Sequence, residues 1–314
     1  MTAKYPAIDF SKINTYSLKS RKSKVKKNEF AMPYKKGAGL KYLLNSLPNI
    51  LSAKNFKEVV DAIVLAKKKG KSITLAMGAH PIKVGLSPII IDLMKRGIIT
   101  HIAMNGACIV HDFELAYVGH TSEDVDHELV TGSFGMAEET GRLLNEAIKN
   151  GVKKGLGIGR AVGDLLMKKD FRYNNNSIIA AGVRFSVPVT VHVAIGTDII
   201  HMHPFADGAA IGEGTMRDFK TFVSMVSGLE KGVYINLGSA VLMPEIFLKA
   251  VSVVRNLGYK LKDFTTVNMD FIQHYRPNTN VVKRPTIGGG KGYSLTGHHE
   301  IMLPLLAASV IEGL

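Results

Sequence analysis

VPVTVHVAIGTD, residues 187–198, is the stretch on which the fold turns. Eight of its first nine residues are apolar or β-branched, His192 being the exception, and they show no regular polar alternation, the pattern of a strand buried on both faces and therefore of a parallel sheet covered by helices. It closes in Gly196-Thr197-Asp198, a small-plus-polar turn. The same grammar recurs on either side. SITLAM (72–77) runs into the glycine-rich turn GAHPIKVG (78–85), THIAM (100–104) into NGAC, GVYINL (232–237) into GSA, and DFTTVNMDF (263–271) ends the series. Helical stretches lie between them: NFKEVVDAIVLAKKKG stopped by Gly70, PIIIDLMKRG capped by Ser87 and stopped by Gly97, residues 135–149, DFKTFVSMVSGL, PEIFLKAVSVVRNLG before Gly258, and the apolar tail EIMLPLLAASVIEGL. Strands alternating with helices predict an α/β fold, a doubly wound, mainly parallel sheet with helices on both faces.

The chain has 314 residues, 46% hydrophobic and 21% charged, which excludes a disordered or fibrous protein. No apolar run reaches 18 residues and the N-terminus has no apolar signal core, so the expectation is a cytoplasmic protein with no membrane partner. A single cysteine, Cys108, excludes an internal disulfide and any multi-cysteine metal site. The formal charge of +14 is uneven. Residues 1–40 hold ten basic side chains, Lys4 among them, against Asp9 and Glu29, and their core is KSRKSKVKK. The predicted organisation is a basic arm, 1–40, on one α/β domain, 41–314. Such an arm suits an acidic partner or a phosphate-rich surface. The run carries no interleaved aromatics, and lysines outnumber arginines 30 to 10, so nucleic acid is not the expected partner.

In a doubly wound sheet, ligands sit outside the carboxyl ends of the strands. Here those ends read Gly78-Ala79-His80, Asn105-Gly106-Ala107, Gly196-Thr197-Asp198, Gly238-Ser239-Ala240 and Asn268-Met269-Asp270. Small residues let backbone approach a ligand, and nearby helix starts offer N–H groups to phosphate, so a nucleotide-type ligand is expected. The familiar fingerprints fail. Gly157-x-Gly159-x-x-x-Gly163 is misspaced and follows helix, Gly290-Lys291 is followed by Gly292 where a P-loop needs Ser or Thr, and no serine-hydrolase elbow occurs.

THIAMNGACIVHDFELA (100–116), the preceding GLSPIIIDLMKRG, the strand end GTD, and the block YRPNTNVV…LPLLAASVIEGL together resemble deoxyhypusine synthase, in the same order over roughly residues 60–314. The resemblance implies a Rossmann-like NAD-binding fold, a homotetramer, and NAD-dependent oxidation of a polyamine with transfer of an aminobutyl group, through a lysine imine, to a protein lysine. It places Asn105, Gly106 and Ala107 along NAD, with Asp112 as the ribose-binding acid. Gly238 and Ser239 replace part of a glycine turn at the cofactor, and Gly78 and His80 stand at another cofactor turn. Thr197-Asp198 matches a strand end of the family. The chemical half departs. The position of the imine-forming lysine falls on Pro285, leaving Lys283 as the nearby candidate, and His203 stands where a second acid is expected. Few acids remain to hold a polyamine, which needs carboxylates to offset its desolvation. The expectation is therefore a deoxyhypusine-synthase-like, NAD-dependent transferase or oxidoreductase acting on a small amine, short of deoxyhypusine synthesis itself, with Asp198, His203 and Lys283 as its catalytic candidates and a protein lysine as a conceivable acceptor.

Histidines give an alternative. His80, His111, His201, His203, His298 and His299 gather at predicted strand ends, and His201-x-His203 has a metal-ligand spacing suited to a hydrolase. No metal is assigned. A non-catalytic binding protein on the same fold is the third reading.

Overall fold

The computed structural model describes residues 5–314; Lys4 of the arm lies outside the described residues. Short 3-10 turns at Leu18–Ser20 and Lys27–Glu29 interrupt an extended arm, which leads to α1 (Gly39–Ser46) and α2 (Leu51–Lys68). Strand β1 (Ile73–Met77) is followed by a short helix, α3 (His80–Lys83), and by α4 (Ser87–Lys95). Next come β2 (His101–Asn105), α5 (Gly106–Val118), α6 (Val125–Thr131), α7 (Glu138–Lys153), α8 (Ile158–Lys169), α9 (Ile178–Arg184) and β3 (Val189–His192). The second half runs α10 (Gly208–Ser227), β4 (Val233–Leu237), α11 (Leu242–Asn256), β5 (Thr265–Asp270), α12 (Tyr275–Pro277, continued by a π turn Asn278–Lys283), β6 (Lys291–Thr296) and α13 (His299–Gly313).

Among the described residues the strands form one sheet in the order β3-β2-β1-β4-β5-β6, every pair parallel. The chain winds outward from β1 to β3, crosses back, and winds the other way from β4 to β6. The order therefore reverses between β1 and β4, where Met77 pairs with Leu237. Side-chain alternation divides the core as a two-faced sheet requires. Ile73, Leu75 and Met77 join the layer of α2, α4, α5 and α13, while Ala76 joins Phe222, Tyr234 and Phe247 in the layer of α10 and α11.

Five strands stand where the sequence places them; β6 was not anticipated. Its residues KGYSLT alternate between exposed and buried as an edge strand does, and three glycines precede it, so it carries no continuous apolar run. The turn expected after β1 contains α3, and α6, α8 and α9 are additional helices. Helix α4 counts Ser87 as its first residue, with Leu86 at the cap position. No helix of the described residues is long and apolar enough to cross a membrane.

Candidate functional site

The carboxyl ends of the strands carry two adjoining groups of polar side chains. The first lies at the β1/β4 reversal. Gly78 donates its N–H to Leu237 O at 3.1 Å, and a Cβ on Gly78 would overlap the Gly238 carbonyl, so the two turns touch backbone to backbone. Gly238 has φ +65°, and a Cβ there would come within 2.9 Å of the His299 ring. Both positions thus require glycine for reasons of approach and backbone conformation. Ser239 Oγ accepts from Met243 N at 3.2 Å in the first turn of α11, leaving its own proton to donate. Beneath, Asn236 donates to Ser239 O and to Asn268 Oδ1, and Asn268 donates to Gln273; Asn236 Oδ1 is buried without a partner.

His299, the first residue of α13, is fully buried beside this turn. Its Nε2 faces Met269 O at 3.3 Å and Asp270 Oδ1 at 3.8 Å. A carbonyl only accepts, so the proton is on Nε2 and Nδ1 is a bare acceptor, unpartnered. Burial lowers the His299 pKa, opposed by Asp270, and the ring stays neutral near pH 7. The His80 ring meets it edge-on at 5.4 Å, and Phe271 packs against both.

The second group lies at the ends of β2 and β3, around a cavity of about 190 Å³. Asp198 follows β3 and is buried, and its Oδ2 has no hydrogen-bond partner. A Cβ on Gly106 would overlap that oxygen, so glycine at the start of α5 lets the carboxylate reach the positive end of the helix. Burial lifts the Asp198 carboxyl to about 6. His201 Nδ1 accepts from Gly196 N and Asp198 N, which puts the proton on Nε2, 3.9 Å from Asp198 Oδ2. On the opposite wall, His111 Nδ1 meets Thr121 Oγ1 at 2.8 Å, and Thr121 donates to Glu114. With its proton on Nδ1, His111 presents Nε2 as an acceptor. Burial and Lys83 hold its pKa down at about 4, so the ring is neutral. Glu123 and Lys83 complete the lining used here. The lining is rich in acceptors and poor in donors, which favours a cation. Helix α3 links the two groups: His80 touches His299, and Lys83, one turn on, lines the cavity.

The sequence-predicted residues divide accordingly. Gly78, His80, Gly238 and Ser239 meet at the reversal; Gly106, Ala107 and Asp198 meet at the cavity. Asn105 caps α5, accepting from Cys108 N. Asp112 is a correction. It is fully buried, and its carboxylate accepts from Ser177 Oγ, Ile178 N at 2.8 Å and Ile179 N at 3.2 Å, so it anchors the start of α9 and has no oxygen to offer a ribose. Lys283 is a second correction. It is exposed at the end of the π turn, beside Val282, whose carbonyl lies against Gly292 near the start of β6. That is the amino edge of the sheet, across the molecule from Asp270. His203 is a third. Its ring packs on Gly141 of α7 and stacks on Phe205, while His201 is the histidine beside Asp198. The two imidazoles of His201-x-His203 thus diverge. Among the described residues no three His, Cys, Asp or Glu side chains converge as metal ligands would, which removes the basis of the histidine-cluster hydrolase. His299, Asp270, Glu114, Glu123 and Lys83 were not predicted as site residues. The i, i+3 pair His111/Glu114 is the signal that placed two of these walls on one helix face.

A larger cavity of about 320 Å³ opens at the amino end of β3. Its carboxylate, Asp218, accepts from Gly159 N at 2.9 Å and Val191 N at 2.8 Å.

The sheet order and its helices define a doubly wound α/β protein with a deoxyhypusine-synthase-like fold. Among solved structures the chain is similar to a candidate deoxyhypusine synthase from Entamoeba histolytica, with a TM-score of 0.51, 14% identity, and coverage of 90% of this chain and 96% of that one. It is also similar to AgrE, solved in a ternary complex with ornithine and NAD⁺ (TM-score 0.52, 14% identity, 84% of this chain). A third similar structure is ArgZ, a cyanobacterial arginine dihydrolase (TM-score 0.50, 16% identity, 82% of this chain). The chain spans 34% of the AgrE chain and 31% of the ArgZ chain. These likenesses are of fold. No protein-family model matches the chain, and no curated protein matches it.

Proposed function

We propose that the protein is an NAD-dependent enzyme that oxidises a small amine-bearing substrate held in the Asp198 cavity. The observation that carries this reading is Asp198 Oδ2, a buried carboxylate oxygen with no hydrogen-bond partner in an acceptor-rich cavity at the carboxyl edge of the sheet. A buried polar group left unpaired is costly unless a ligand completes it, and an ammonium group is its natural complement.

The residues at the reversal fit a dinucleotide in part. Gly78 and Gly238 keep backbone open at the turn, Ser239 has a proton to donate at the N-terminus of α11, and Asn236 Oδ1 and His299 Nδ1 are orphaned acceptors. The N-terminus of α5 is already covered by Asp198, so phosphate belongs at α11. Bound there, the nicotinamide would supply the hydride acceptor. That AgrE, which shares the fold, was solved with NAD⁺ supports a dinucleotide as the ligand, though not its position.

The chain's own residues then account for binding and proton handling. Asp198, Glu114 and Glu123 offset the charge of the ammonium, and His111 Nε2 accepts one of its N–H bonds. An amine must lose a proton before its α-carbon gives up hydride. Asp198, raised to about 6, lies nearer the pKa of an ammonium than an ordinary aspartate does and is the better acceptor of that proton. Lys83 at the rim suits an anionic substituent. Lys283, exposed at the amino edge of the sheet, is not placed to act as an imine carrier, and the proposal is therefore confined to the oxidation step.

The test is thermal melting with NAD⁺ and with 1,4-diaminobutane, singly and together. NAD⁺ should raise the melting temperature in the wild type and in Asp198→Asn, but not in Gly238→Ala; the diamine should add a rise that Asp198→Asn alone abolishes. No rise at millimolar NAD⁺ overturns the cofactor assignment, and a diamine response that survives in Asp198→Asn overturns the cavity assignment.

A further inference from the structure

Residues 8–28 have the composition of a segment with something to bury. They contain Ile8, Phe10, Ile13, Tyr16, Leu18 and Val25, each more than half exposed, and none touches the core of its own chain. A solvated electrolyte tail carries few such side chains. The same 21 residues hold seven basic side chains against Asp9. The arm is fastened to the body at its root, where Asn49 N donates to Glu29 O, Met32 N to Ser46 O, and Tyr42 to Pro33 O. Fully extended, residues 8–28 reach up to about 70 Å, far beyond that root.

The body carries one surface of opposite character. Residues 122–139, spanning α6 and the start of α7, contain no Lys or Arg and present Asp124, Asp126, Glu128 and Glu139, while Glu123 turns to the cavity and Glu138 pairs with Arg142. Apolar side chains stand out among them: Val130 is 86% exposed, Leu129 64%, Met136 45% and Val125 44%. An exposed apolar patch rimmed by one sign of charge marks an interaction surface. The arm matches it in both respects, apolar to apolar and basic to acidic.

We propose that the arm of one copy of this chain docks on the α6 face of a second copy. Two copies exchange arms reciprocally, as a closed two-fold contact requires. Hydrophobic contact from Phe10, Tyr16 and Leu18 onto Leu129 and Val130 supplies the burial, and the opposed charges select the partner surface and make the contact salt-dependent.

The experiment is a charge swap in the full chain, read as molar mass by light scattering during size-exclusion chromatography. The arm variant is Lys22→Glu with Lys24→Glu; the face variant is Asp126→Lys with Glu139→Lys; the third chain carries all four. These positions are exposed and outside the cavity. At low salt the wild type should run at a higher mass than either two-site variant, and the four-site variant should recover the wild-type mass, because its reversed charges match again. Raising salt to about 0.5 M should lower the wild-type mass. One common mass for all four chains overturns the proposal. A wild type that stays at single-chain mass while retaining a random-sequence RNA oligonucleotide through Lys22 and Lys24 also overturns it, and assigns the arm to nucleic acid.

Discussion

Two cavities flank strand β3, one at each end, and each holds a buried aspartate. The one at the amino end is larger, about 320 Å³ against about 190 Å³. Its Asp218 is nonetheless occupied, taking the N–H groups of Gly159 and Val191 and so tying α8 and β3 to α10. Burial pushes the Asp218 carboxyl up to about 7 while these N–H groups pull it back. At the carboxyl end, Asp198 Oδ2 accepts no hydrogen bond. Volume therefore does not rank the two cavities; they differ in that one aspartate is tied to backbone N–H groups and the other turns an oxygen without a hydrogen bond into its cavity. Asp112 falls with Asp218. It too is buried, and both its oxygens accept hydrogen bonds, from Ser177 Oγ and the N–H groups of Ile178 and Ile179.

The largest effect expected is on stability. Asp218→Ala leaves two buried N–H groups without an acceptor and should cost about 2–4 kcal/mol, read by urea unfolding. Asp112→Ala should cost a similar amount for the same reason, and its folded fraction should still respond to NAD⁺. A loss of that response without loss of stability would return Asp112 to the cofactor site.

Asp198→Asn should show the opposite pattern: no loss of stability near pH 7, and amine binding weakened at least tenfold, about 1.4 kcal/mol. Its pH dependence has a definite sign. The folded carboxyl titrates near 6 against an ordinary value of 3.8, so the neutral form is the one the fold prefers. Its contribution to wild-type stability is complete below about pH 4 and is lost as pH rises through 6. Melting curves of the two proteins should draw apart in the variant's favour between pH 4 and 7. Gly106→Ala is a milder probe: its methyl overlaps Asp198 Oδ2 and should push the carboxylate from the cavity, weakening amine binding without removing the acid. The smallest effect is at Lys283, exposed at the far edge of the sheet. Lys283→Ala should change neither stability, beyond about 0.5 kcal/mol, nor ligand response.

Much of the fold is legible because each parallel strand writes two signals at once, an apolar run and a small-residue turn. β6 writes only the weaker one. The site is legible where function sits at a strand end, as with Asp198, Gly78 and Gly238, because the fold itself brings those positions to one edge. It fails where the deciding fact is helical phase. Asp112 lies four residues from Cys108 and from Ala116, both buried, and that spacing turns it into the core, while His111 and Glu114 on the same helix turn toward the cavity. It fails again at Lys283, a candidate only because it lies near the position that falls on Pro285; closeness in sequence does not show which edge of the sheet a residue faces. His299 and Asp270 are brought together from two strands' ends by tertiary structure alone, a juxtaposition no local spacing announces.

The most direct test is titration calorimetry of 1,4-diaminobutane, with NAD⁺ present, into the wild type at pH 7.5 and pH 5 and into Asp198→Asn at pH 7.5. Binding should be present at pH 7.5, weaken at pH 5 as Asp198 takes up its proton, and fall at least tenfold in the variant. Equal affinity in all three titrations would contradict the assignment of Asp198 as the group that holds the amine.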